Sequence, residues 1–232
     1  MEFKISKELI TQIENLIQQN NIVELETILH EIHFADIAEI MNDLDTSEAI
    51  YLFNLLDSEI TAEILLELDD EVRENILRSL SAKEIAEELD ELDTDDAADI
   101  IAELPQSKKA QVISELEDVE HAKDIVDLLR YDENTAGGIM AKELVKVNEN
   151  WNVLTCVKEM RHQAENVTRV HSIYVVDDED RLKGRLSLKD LLTTSTKTQI
   201  SDIYIKKVDY VRVETKDVEV ARIMQKYDLE AI

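Results

Sequence analysis

The sequence predicts an all-α superhelical solenoid of short helices, followed by a smaller α/β unit that begins a second time before the sequence ends. Three observations predict it. Leu44, Leu56, Leu68, Leu80, Leu92, Leu104, Leu116 and Leu128 fall twelve residues apart, and each has an apolar partner three residues earlier, from Met41 and Phe53 through to Ile125. Good N-cap residues, Asp45, Asp57, Asp69, Ser81 and Asp93, directly follow five of these leucines. Composition then changes abruptly near residue 131. Residues 1–130 hold 9 Lys/Arg against 35 Asp/Glu, whereas residues 131–232 hold 16 against 18, together with all three glycines.

The register excludes one long helix. At about 100° per residue, twelve residues advance about 120° past whole turns, so the leucines of an unbroken helix would spiral around it. The spacing therefore predicts a break in every repeat, with helices of roughly nine residues. Within a repeat, the i, i+3 pair should share one helix face. Pro105 takes the cap place once, ahead of Gln106 and Ser107. Repeats this short cannot bury an apolar face alone, so neighbours must supply the core.

Ahead of the array, residues 7–19 read as an amphipathic helix through Leu9, Ile10, Ile13, Leu16 and Ile17. Asn20 and Asn21 end it, and residues 22–31 make a second helix. Inside the array, Asp36-Ile37-Ala38-Glu39 matches Glu84-Ile85-Ala86-Glu87 four repeats later, which suggests an internal duplication. After Tyr131 the pattern becomes mixed. Leu144–Val147 predicts a strand, and Trp151–Gln163 a helix with Val153, Leu154, Val157 and Met160 on one side. Ser172–Val176 and Arg181–Ser187 predict strands around an acidic turn at Asp177–Asp180. Leu188–Leu192 starts a helix. The order then begins again: Tyr210–Val213 matches the first strand, and Val218–Met224 the first helix.

The net charge of −28 argues against nucleic-acid binding, which needs basic patches, and against adhesion to an anionic membrane surface. It favours cations or basic partners. Cys156 is the single cysteine, so no internal disulfide framework exists, and it falls within an apolar helix face. No apolar run approaches the roughly 20 residues of a membrane span, and no signal peptide is evident. The five histidines, His30, His33, His121, His162 and His171, show no metal-site spacing with a cysteine. His30 and His33 are expected to share a helix face. No motif for catalysis is present, so the reading is not an enzyme.

The carboxylates carry the chemistry. Asp95, Asp96 and Asp99 open a helix just after Leu92-Asp93, with Asp95 and Asp99 one turn apart. Like charges at this spacing repel mildly, and the helix dipole offsets part of that. A hard divalent cation would remove the rest, since Mg²⁺ needs only one or two carboxylates beside its waters. A solvated, generously capped helix start is the alternative. Glu63 and Glu67 form a second pair at i, i+4, with the same alternative of a solvated face.

The order strand, helix, Ile-Tyr-Val-Val-Asp (173–177), then Leu-Lys-Gly-Arg-Leu-Ser-Leu-Lys-Asp (182–190), resembles a CBS domain, followed by part of a second. Preceded by an acidic array and joined through Thr135-Ala136-Gly137-Gly138-Ile139-Met140, it resembles the cytosolic part of the MgtE family of magnesium channels. The resemblance implies three segments: a helical domain over 1–130, CBS domain 1 over 131–198, and a partial CBS domain 2 over 199–232. It implies Mg²⁺ as ligand, a homodimer through the CBS domains, and a transmembrane pore domain C-terminal to this sequence. It places the chain at the cytoplasmic face of the membrane, sensing Mg²⁺ between helical domain and CBS pair to gate that pore.

By resemblance, Asp95, Asp96 and Asp99 share ions with the CBS pair. Glu63 reaches an ion shared with the second CBS domain. Asp228 matches a family acidic position, and Gly138 one that offers a backbone carbonyl. Lys216 and Val218 stand where related sequences often carry acids, with Asp217 or Glu219 as substitutes. Gly184-Arg185-Leu186-Ser187-Leu188-Lys189-Asp190 fits the CBS nucleotide pattern, in which the hydroxyl contacts phosphate and the Asp contacts ribose. ATP is thus a second ligand, with Ser187 and Asp190 as contacts. The alternative is that Ser187 caps the helix and Asp190 closes a capping box. An adenosine-nucleotide sensor and an acidic scaffold for protein partners remain as other functions.

Overall fold

The computed structural model describes residues 5–164, 167, 170 and 172–232. By internal contacts the chain forms two units. One holds residues 1–92 and 96–126, and the other holds residues 93–95 and 127–232.

The helical unit opens with α1 (Lys7–Gln18) and α2 (Ile22–Leu29), which pack on each other. Next come α3 (Phe34–Asp43), α4 (Thr46–Phe53), α5 (Ser58–Glu67), α6 (Asp70–Ser79), α7 (Ala82–Leu89), α8 (Thr94–Glu103), α9 (Gln106–Glu115) and α10 (Val119–Leu128). The starts of α3 to α9 keep the twelve-residue register. Packing skips a helix: α3 lies on α5, α5 on α7, α7 on α9, and α4 on α6. These repeats thus close their cores against the repeat after next.

Several register leucines lie just past the helix rather than on its face, although Leu128 ends α10 as a helical residue. Leu44, Leu68 and Leu80 are C-cap residues with extended backbone. The helix stops just before the leucine, and the extended residue turns its side chain into the core. All the register leucines are buried except Leu56, which is half-buried. The short repeat explains this: one extended residue resets the 120° drift that a continued helix would accumulate.

The predicted caps divide into two groups. Asp45 Oδ1 accepts from the backbone N–H groups of Ser47 (2.8 Å) and Glu48 (2.9 Å). Ser81 and Glu84 form a full capping box. Asp57 and Asp69 hold the N-cap place without a side-chain bond to the helix. Asp69 instead donates its own N–H to Asn42 Oδ1 at 3.0 Å. Four repeats on, Glu117 N–H donates to Asp90 Oδ2 at 2.9 Å. The same bond at equivalent places extends the echo that the sequence carries at 36–39 and 84–87. Longer ties bind neighbouring repeats. Arg73 forks onto Glu103 at 2.7 and 2.9 Å. Lys108 Nζ donates to the carbonyls of Leu77 and Leu80, satisfying acceptors left at the end of α6.

The second unit contains β1 (Val145–Asn148), α11 (Val153–Gln163), β2 (Ile173–Val176), β3 (Leu182–Leu186) and α12 (Leu188–Thr193). A 3-10 turn at Ile200–Asp202 and α13 (Asp217–Tyr227) follow. The sheet order is β1-β2-β3, with β1 parallel to β2 across the α11 crossover and β3 antiparallel to β2. Its core is Val145, Val147, Val153, Cys156, Ile173, Val175 and Leu186, closed by Leu191 and Ile200. Gly184 lies on β3 where the Ile205 backbone crosses. Arg185 and Ile205 exchange both backbone bonds, and a Cβ on Gly184 would meet the Ile205 carbonyl and the Tyr204 ring.

Two expectations for this unit need correction. Leu154 is 50% exposed, and Cys156, two residues on, takes the inward place. Tyr210–Val213 is not a strand. Among the described residues it has no ladder partner, and Tyr210 is 70% exposed. The segment is held near its end, where Gly137 N–H donates to the Val213 carbonyl, Ala136 N–H to that of Thr215, and Arg212 and Thr215 bond each other.

Candidate functional site

Asp95 and Asp96 lie in the first turn of α8 and are half-buried, while Asp99 is exposed one turn on. Thr94, just ahead of them, is 2% exposed. Residues 93–95 group with the second unit, and there Thr94 meets Glu143. Its backbone N–H donates to Glu143 Oε1 and its hydroxyl to Oε2, both at 3.0 Å. The Lys142 backbone N–H donates to Thr94 Oγ1 at 3.2 Å, and Lys142 Nζ donates to Asp127 at 2.7 Å. The sequence reading missed Glu143. It lies 49 residues from Thr94, and no local pattern links them.

Glu63 is half-buried on α5, and Glu67 is exposed one turn later. Nearby on the same helix, Thr61 is buried and its hydroxyl donates to Glu88 Oε2 of α7 at 2.6 Å. Burial pushes the Glu88 carboxyl up to about 7, against the lowering effect of the Thr61 bond; Glu87 and Glu91 add repulsion in the same direction.

The second unit brings Gly138 and Asp217 into one paired loop. The turn at 132–138 closes by bonds from Thr135 N–H and Oγ1 to the Asp132 carbonyl, and from Gly138 N–H to the Thr135 carbonyl. A Cβ at Gly138 would run into the Asp132 carbonyl, so the turn requires glycine. Asp217 N–H donates to the Asn134 carbonyl at 3.2 Å. Asp217 and Glu219 lie in the first turn of α13, and Asp228 is its left-handed C-cap at φ 52°. The helix has 11 residues, about 16 Å, so Asp228 cannot share an ion with Asp217 or Glu219 of the same chain. Among the described residues, no group of three or more His, Cys, Asp or Glu stands together to hold a metal.

Ser187 Oγ accepts from the Asp190 N–H at 3.4 Å and caps α12. His30 and His33 do not share a face. His30 is the C-cap of α2 and His33 the N-cap of α3, because the turn between the helices falls between them. His171 lies outside the described residues. The Cys156 thiol is buried and pushed up to about 11 by desolvation, which keeps it protonated and unreactive.

Two family models match. The MgtE intracellular N domain covers residues 32–134, and the CBS domain covers residues 136–196. The magnesium transporter MgtE of Thermus thermophilus is 38% identical over 122 residues, and that of Enterococcus faecalis 35% over 113. Each alignment takes 49% of this chain but only 27% and 25% of the relative, so the matched part is about a quarter of those proteins. A crystal structure of the cytosolic domain of the Mg²⁺ channel MgtE in complex with ATP aligns with a TM-score of 0.85 at 32% identity, covering 95% of this chain and 90% of that one. The soluble part of a magnesium transporter aligns at 0.79 and 28%, covering 96% and 88%. An array of short acidic helices followed by a CBS fold is the architecture of the two solved cytosolic and soluble parts just named. The chain belongs to the MgtE family. The relatives just named are transporters, not enzymes.

Among the described residues, no helix is long and apolar enough to cross a membrane.

Proposed function

We propose that this chain is a Mg²⁺-sensing regulatory region at the cytoplasmic face of the membrane, gating a pore domain carried elsewhere in the full protein. Its segments are the helical domain 1–130, CBS domain 1 at 131–198, and the part of CBS domain 2 at 199–232. It works as a homodimer through the CBS domains. The observation that carries this reading is the charge imbalance of a family member: 35 acidic against 9 basic residues in 1–130, beside a nearly neutral second part. Acidic faces repel one another until hydrated Mg²⁺ joins them. Asp95, Asp96, Asp99 and Glu63 supply carboxylates from the helical side. Gly138, Asp217, Glu219 and Asp228 supply oxygens from the CBS side, in at least two separate ions given the length of α13.

The magnitudes are consistent with weak sites. Moving a switch from 1:99 to 99:1 takes about 5.5 kcal/mol. A site present only in the closed form, at tenfold excess over its Kd, contributes about 1.4 kcal/mol. About four such sites suffice. Small-angle scattering with Mg²⁺ and with EDTA should give a more compact particle with Mg²⁺, and calorimetry should show uptake. An unchanged envelope without uptake rejects the switch.

A second reading concerns ATP. A similar structure is a complex with ATP, and Ser187 and Asp190 keep the CBS nucleotide pattern. If this chain binds ATP there, Ser187→Ala with Asp190→Ala abolishes the binding. A nucleotide and Mg²⁺ can act together, so this reading adds to the first.

A further inference from the structure

We infer that Glu143 is a positioning residue for the segment 93–95, holding Asp95 in the place where it meets the cation. This rests on the reading of Asp95 as a ligand. The geometry is a fork. Both oxygens of one carboxylate are used by one residue, Thr94, through its backbone N–H and its hydroxyl. The hydroxyl has a single proton, which goes to Glu143, and its lone pair receives the Lys142 N–H. Thr94 is therefore fixed in backbone and rotamer, and it is buried.

The fork also answers a local need. The first N–H groups of a helix have no acceptor within it, and an anion there is favoured by the dipole. Sequence rules assign that task to a residue directly before the helix. Here a glutamate 49 residues away takes one of them, the N–H of Thr94, the helix's first residue and the neighbour of Asp95. Lys142 anchors the same stretch through Asp127. Mg²⁺ demands near-ideal octahedral geometry, so its affinity responds to small displacements of a ligand. Loss of a partner that orients a ligand typically costs 10–100-fold in metal affinity.

The test uses the whole chain with Glu143→Ala, Glu143→Gln, Asp95→Asn and the double variant Glu143→Ala/Asp95→Asn. Mg²⁺ binding is read by calorimetry, and hydrogen exchange at the Thr94 amide is read without Mg²⁺. Glu143→Ala should weaken Mg²⁺ by about tenfold and speed exchange at Thr94. Glu143→Gln keeps an oxygen for the Thr94 N–H but gives up the charge and the acceptor for the Thr94 hydroxyl, so it should lose less than Glu143→Ala in both. The double variant should bind no more weakly than Asp95→Asn alone. A Mg²⁺ loss in Glu143→Gln as large as in Glu143→Ala, with Thr94 exchange as slow as in the unaltered chain, would make Glu143 a ligand and overturn the positioning role. Unchanged exchange in Glu143→Ala would overturn the fork, whatever happens to Mg²⁺. If the unaltered chain takes up no Mg²⁺, the metal reading fails and Asp95's role with it, while the exchange result still decides whether Glu143 holds Thr94.

Discussion

The two units solve the problem of a small core in different ways. The helical unit repeats one apolar register, so its stability is spread over neighbouring repeats and no repeat is complete alone. The second unit concentrates its stability in one sheet, with a core of nine buried residues and a glycine where two backbone segments meet. The charge follows the same division. A repeated register leaves most of each short helix free to be acidic, whereas the compact sheet unit is nearly neutral. The difference teaches that the acidic load of the first unit need not compete with its core for positions, because its apolar contacts occupy a separate and periodic set of them.

The largest test of this comparison lies inside the register. Leu65 is fully buried, whereas the register leucine Leu56 is half-buried. Leu65→Ala should cost about 3 kcal/mol, as large-to-small changes in a closed core do. Leu56→Ala should cost about 1 kcal/mol, because less apolar area is buried. Denaturant melts of both variants check the order. Equal losses would mean that the register, and not burial at each repeat, sets the stability.

How much of this was legible in advance depends on the range of the interaction. The twelve-residue period predicted the helix starts because each break is a local event. It misplaced the leucines, since spacing alone cannot tell the last helical residue from an extended residue just past it. Leu154 was placed inward for a similar reason: one residue of phase shift on a helix is about 100°, whereas Cys156 is buried as expected. Tyr210–Val213 has strand residues, but a strand also needs a partner, and sequence does not reveal whether one is present. For the site, the acidic turn at 95–99 was legible from spacing. Glu143 was not, because the bond spans 49 residues. Glu88 left a trace that could have been followed, lying three residues after Ile85 on the apolar face of α7.

That residue gives the next test. The folded state raises the Glu88 carboxyl from 4.5 to about 7, chiefly through burial. A carboxyl raised in the folded state favours folding when protonated. Its contribution is full below about pH 4.5 and is lost as the pH rises to about 7. Glu88→Gln keeps an acceptor for the Thr61 hydroxyl and carries no charge. The variant should match the unaltered chain near pH 4.5 and exceed it by about 1–2 kcal/mol at pH 8, after allowance for the solvent contact that the residue keeps. Many carboxylates titrate in this window, so the readout is the difference between the two denaturation curves at each pH. A difference that does not grow with pH would remove the buried charge from the account of the array.

The smallest effect separates the two kinds of cap. Ser81 and Asp69 follow register leucines in the same way, and sequence rules treat them alike. The Ser81 hydroxyl accepts the Glu84 N–H at 3.2 Å, and the Glu84 carboxylate accepts the Ser81 N–H at 2.7 Å. Those bonds hold the Glu84 carboxyl below the usual carboxylate range. Asp69 makes no such bond to α6, and its N–H is satisfied by Asn42. Ser81→Ala should therefore cost about 1 kcal/mol, the usual loss of a bonded cap. Asp69→Ala should cost no more than about 0.5 kcal/mol, the residual attraction of a negative charge to a helix start. Denaturant melts at low and moderate salt resolve the pair, since the charge effect at Asp69 fades with salt and the hydrogen bond at Ser81 does not. Equal losses would show that a residue's place in the repeat outweighs the bond its side chain makes.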